Sequence, residues 1–185
     1  LGIAKRIKNL MSVVNIQKEI LSEIDFYQGT INMPEGFEID KEKLSIDILT
    51  HQFDTLNNKK INFPFSRTWD MLNTYVREHM LVKYQISLVN MQSWGHIFHP
   101  YENSTPMLAV NPMDLRNSPD YVFLYGVQSN ECFVNIHYDN KKQKGKSKVV
   151  DLKTNDFIIF PAICIYNIMN KNLANIVQTI TYEKI

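Results

Sequence analysis

Five histidines, His51, His79, His96, His99 and His137, carry most of the chain's capacity for metal chemistry. Mononuclear non-haem iron is typically held by two histidines and one carboxylate, with adjacent positions open for a co-substrate and oxygen. His137-Tyr138-Asp139 offers one histidine and one carboxylate together, but no histidine follows it. Its plain reading is a strand end that runs into a lysine-rich hairpin. His96 and His99 lie three residues apart in the segment WGHIFHP. In an extended segment they point to opposite faces, so joint ligation needs a bend, which Pro100 can supply.

Other chemistry finds less support. No Ser-His-Asp or Cys-His arrangement can be assembled locally, and neither GxGxxG nor GxxxxGK[ST] is present to cradle a nucleotide phosphate. Cys132 and Cys164 sit among strand-like apolar neighbours and read as buried free thiols. With 20 basic and 19 acidic residues the net charge is +1, which argues against a nucleic-acid binder that works by neutralising phosphates. No apolar run approaches the roughly 18 residues of a membrane span, and no signal peptide is evident. The chain opens on Leu1 rather than methionine and reads as trimmed, or as part of a longer product.

The elements that must position these residues fall into two parts. At 185 residues the chain has room for one well-buried domain. Ile3, Ile7, Leu10, Val14, Ile16, Ile20 and Ile24 recur at near-helical steps and predict a helix over 3–24. Residues 28–45 read as a loop, and 57–64 as a second irregular stretch. Ser66 can cap a helix whose apolar stripe is Trp69, Leu72, Val76 and Met80, with Asp70, Arg77 and Glu78 facing away.

From Lys83 the pattern becomes one of strands: 84–89, 94–98, 107–110, 121–127, 132–138, 148–152, 157–160 and 176–182. Strands at this spacing predict a sandwich or jelly roll. Residues 140–148 hold five lysines and one glycine and read as a solvated hairpin tip. The expected organisation is a helix or arm over 1–27, an irregular connection over 28–65, and a helix plus jelly roll over 66–185, all in one domain.

Read as one block, residues 85–185 resemble the 2-oxoglutarate/Fe(II)-dependent oxygenase family of marine phages and bacteria, relatives of prolyl hydroxylases. Ser93-Trp94-Gly95-His96 corresponds to the family's first strand motif, and Tyr121–Val127 to a Ser-Gly-Val-Tyr-Tyr-Leu-like strand. Phe133–Asp139 suits the strand before the hairpin. Asn155-Asp156-Phe157-Ile158-Ile159-Phe160-Pro161 matches Gly-Asp followed by three apolar residues and Phe-Pro, and Gln178–Tyr182 fits the closing strand. The resemblance implies a mostly β (α+β) fold, a double-stranded β-helix (jelly roll) with two N-terminal helices packed on one sheet.

It also implies positions for the ligands, and there the chain departs. After Thr105-Pro106, where the family has His-x-His/Asp, it has Met107-Leu108-Ala109. Tyr166 stands five residues after Pro161 in place of the distal histidine, and Val177 stands at or near the 2-oxoglutarate arginine. Methionine is a poor ligand for hard Fe(II), alanine cannot ligate, and valine cannot pair with a carboxylate. The expectation is therefore a non-catalytic structural or interaction protein with no cofactor, most concretely a phage virion component of neck, tail or baseplate. Its partners would be other protein subunits, with no membrane or nucleic acid, in a virion or the cytoplasm of an infected host. The N-terminal segment, with more apolar surface than a flanking arm needs, is expected to carry the assembly contacts. The alternative is an active oxygenase using Fe(II) and 2-oxoglutarate, its iron held by a set drawn from His96, His99, His137 and Asp139.

Overall fold

In a computed structural model of the chain, residues 14–21, 24–32, 39–56, 67–139 and 144–185 are described, apart from some side chains at element ends. Among the described residues two strands come first, β1 (Val14–Leu21) and β2 (Ile24–Ile31), then two helices, α1 (Lys41–Leu56) and α2 (Arg67–Tyr84). Seven strands follow: β3 (Leu88–Phe98), β4 (Tyr121–Gln128), β5 (Cys132–Tyr138), β6 (Lys146–Asp151), β7 (Asp156–Pro161), β8 (Ile165–Asn170) and β9 (Asn175–Lys184). They form a six-stranded sheet in the order β1-β2-β7-β4-β9-β3 and a three-stranded sheet in the order β6-β5-β8. Residues 103–107 run along β8 through two isolated bridges, Asn103 to Met169 and Met107 to Tyr166. The architecture is the expected jelly roll, with two helices on one face of its larger sheet.

The central strands explain the layering. Along β4, Val122 and Leu124 point between the sheets while Phe123, Tyr125 and Val127 point to the helices, and all are buried. Ile158 and Phe160 of β7 face inward, and Phe157 and Ile159 face the helices. Side chains alternate across a strand, so a continuous apolar run must be covered on both faces. The small sheet covers one face with Val134, Ile136, Tyr166 and Ile168, and the helices cover the other with Leu44, Ile48, Leu72, Val76 and Met80. Helix α1 lies so close to β3 that a Cβ on Gly95 would overlap the side chain of Ile48. Tyr182 donates a hydrogen bond to Asn73 Oδ1 at 2.9 Å, tying β9 to α2. Among the described residues, no helix is long and apolar enough to cross a membrane.

Several sequence expectations need correction. Where the helix expected over 3–24 falls on described residues it is replaced by strand: residues 14–21 and 24–31 are paired antiparallel strands, and β2 continues into the large sheet by pairing Tyr27–Thr30 with Asp156–Ile159. Residues 1–13 lie outside the described residues. The expected loop over 28–45 contains the end of β2 and the start of α1, whose first turn is capped by Asp40 Oδ1 accepting from Lys43 N at 2.9 Å. Residues 33–38, the irregular stretch 57–64, the Ser66 cap and the Trp69 side chain also lie outside the described residues. The strands expected at 84–89 and 94–98 are one strand, β3, with an irregularity between Asn90 and Gln92, and Tyr84 closes α2. Residues 107–110 make only the Met107 bridge, and β8 was not foreseen. Phe123 of β4 faces the helices and not the space between the sheets.

The N-terminal strands are integral. Phe26 and Tyr27 are fully buried, one in each core, and Lys148 of β6 pairs with Glu19 of β1 while its Nζ lies 5.0 Å from the Phe26 ring centroid. Deleting residues 1–27 therefore cuts through β2 and uncovers the β7 edge. The truncated chain is expected to lose its cooperative thermal unfolding, read by circular dichroism. A sharp transition with native β content would mean that β1 and β2 are dispensable.

His79, on the helix side, is 8% exposed, and its Nε2 has no hydrogen-bond partner among the described residues. Burial, with a smaller contribution from Lys83, pushes its pKa down from 6.5 to about 4. Between these two values the unfolded chain carries a proton that the folded chain refuses, so stability falls as pH drops from near 6.5 towards 4. The slope from this residue is at most about 1.4 kcal/mol per pH unit. His79→Leu should flatten the pH dependence of the unfolding midpoint over that window, and an unchanged slope would assign the effect to other groups.

Candidate functional site

A jelly roll keeps its chemistry, where it has any, in the space between the sheets. Here β4, β5, β7, β8 and β9 send Val122, Leu124, Cys132, Val134, Phe160 and Tyr166 into that space, together with Val177. Met107 and Ala109 pack against the same cluster from the segment beside β8. Met107 and Tyr166 exchange two backbone hydrogen bonds, N to O at 2.7 Å and 2.9 Å, which sets the register of that segment. Thus Met107 and Ala109 of one segment, Tyr166 of β8 and Val177 of β9 belong to one apolar cluster.

The chemistry of this interior is that of a packed core. Tyr166 is 2% exposed, and its ring meets Phe160 edge-on at 5.2 Å. Burial pushes the Tyr166 phenol up to about 12, so it stays protonated and presents no phenolate. Burial likewise raises the thiols of Cys132 and Cys164 to about 11, which keeps them neutral. Both are free and buried, in agreement with the sequence reading.

The alternative ligands are dispersed. His137 projects from β5 on the face opposite Ile136, its Nε2 3.1 Å from Asn135 Nδ2 and 3.4 Å from Asn167 Oδ1. Asp139 Oδ1 accepts a hydrogen bond from Gly145 N at 2.8 Å and so closes the hairpin, where Gly145 adopts φ +72°. Residues 140–143 of that hairpin lie outside the described residues. His96 lies 3.7 Å from Glu102 Oε1 with its ring against Phe98, and His99 is exposed, its backbone N donating to Glu102 Oε2 at 2.7 Å. The His51 side chain lies outside the described residues, and His79 is on the helix side. Among the described residues, no three His, Cys, Asp or Glu side chains cluster as a metal site would require.

The end of the sandwich towards the β8–β9 turn is sealed by asparagines. Asn170 Nδ2 donates to His99 O at 2.6 Å and to Leu173 O at 2.7 Å, while Asn130 N donates to Asn175 Oδ1 at 2.7 Å. Sequence reasoning missed this lock and β8 together. The signal was the alternation of Tyr166, Ile168 and Asn170, which a polar residue at an inward position disguised.

Comparison with solved structures gives the same architecture. The chain superposes on a prolyl-4-hydroxylase from Pseudomonas putida over 99% of its own length and 95% of that chain, with a TM-score of 0.58 at 10% identity. A prolyl hydroxylase from Trichoplax adhaerens, in complex with a hypoxia-inducible-factor oxygen degradation domain peptide fragment, matches over 98% and 92%, with a TM-score of 0.54 at 9% identity. AviO1 from Streptomyces viridochromogenes matches over 97% and 94%, with a TM-score of 0.55 at 12% identity. No protein-family model and no curated protein matches the chain. The chain has the fold of the prolyl-hydroxylase-like 2-oxoglutarate/Fe(II) oxygenases, and at these identities the likeness is one of fold.

An Fe(II) site needs nitrogen and carboxylate donors, whereas the groups that meet here are a thioether, a methyl, a neutral phenol and an isopropyl group. Phe160, pinned against Tyr166, should behave as ordinary core. Phe160→Ala is expected to cost about 3–5 kcal/mol in chemical denaturation. A loss well under 1 kcal/mol would mean that the space between the sheets is open enough to collapse around the gap.

Proposed function

We propose that the chain is a non-catalytic structural or interaction protein built on an oxygenase-like jelly roll, most concretely a phage virion component of the neck, tail or baseplate. The observation that carries this reading is the filled interior. The positions to which the family resemblance assigns the iron ligands and the 2-oxoglutarate arginine hold Met107, Ala109, Tyr166 and Val177; Tyr166 and Val177 are buried in one apolar cluster, and the half-buried Met107 and Ala109 pack against it. A scaffold with such an interior offers rigidity and surface, and its partners on this reading are other protein subunits in a larger assembly. The virion assignment, in a particle or in the cytoplasm of an infected host, rests on the resemblance to a family common in marine phages.

A second reading is an active Fe(II)/2-oxoglutarate oxygenase with ligands drawn from His96, His99, His137 and Asp139. The shared fold favours it. The separate engagements of those side chains weigh against it, since His137 lies on the outer face of β5 and Asp139 closes a hairpin.

Iron content separates the two. Purified protein equilibrated anaerobically with Fe(II) and 2-oxoglutarate, then dialysed, is expected to retain far less than one iron per chain and to release no succinate in air. Stoichiometric uptake abolished by His137→Ala or His96→Ala would falsify the non-catalytic reading and select the oxygenase.

A further inference from the structure

No further inference is drawn: the strongest candidate among the described residues, the polar cleft between the β1–β2 hairpin and β6 lined by Gln17, Gln28, Thr30, Asp151 and Asp156, carries nothing, because its two carboxylates already hold the Thr30 hydroxyl and the Lys153 ammonium and nothing in the structure shows what it would bind.

Discussion

Strands β7, β4 and β9 carry apolar side chains on both faces, and neither face can be left to water. Each buried side chain of this size contributes about 1.5–3 kcal/mol when removed from solvent. That constraint calls for two separate covers. The small sheet supplies one through Val134, Ile136, Tyr166 and Ile168, and α1 and α2 supply the other through Leu44, Ile48, Leu72 and Met80. The close seating of Ile48 against Gly95 follows from the same demand, since any larger residue on β3 would lift the helix off the sheet.

Between the sheets, away from the asparagines that close one end, the described side chains are mostly apolar. A metal-binding pocket holds desolvated imidazole and carboxylate groups, which are costly to bury unless the metal or another partner satisfies them. Apolar side chains at the same depth need no partner and add packing instead. The arrangement of Met107, Ala109, Tyr166 and Val177 is of the second kind, an apolar cluster that adds packing to the jelly roll. Two hydrogen bonds between the Met107 and Tyr166 backbones preserve the pairing of the 103–107 segment with β8 whatever the side chains are.

Much of the β framework was legible because its strands are buried on alternate or both faces. The interval 132–138 was read to the residue, and β4, β7 and β9 to within a few positions, since aromatic and β-branched runs bounded by turns carry that signal strongly. The N-terminal error has a definite cause. Ile20 and Ile24 are four apart, as on a helix, but Val14 and Ile16 are two apart, and that step belongs to a strand. Helix α1 was missed because exposed Ile46 and Leu49 blur the stripe formed by Leu44 and Ile48. The four family positions were named from motif order alone. Their meeting in space depends on pairings between residues about sixty apart, which no local pattern reports.

A fold sets where side chains gather, but not which chemistry they perform. The sheet order and the bridge at Met107 are fixed by backbone pairing, which is insensitive to whether position 166 bears an imidazole or a phenol. Core positions, by contrast, respond to every change of volume and polarity. A jelly roll can therefore exchange a polar pocket for a packed interior by a few substitutions at the pocket wall, with the register of every surrounding strand unchanged. What such an exchange leaves to evolve is the rim. There Met107, Ala109 and Val110 and, in the β7–β8 turn, Ala162 and Cys164 still pack inward, while Leu108, Met113, Leu115 and Ile163 between them face out and are free to change.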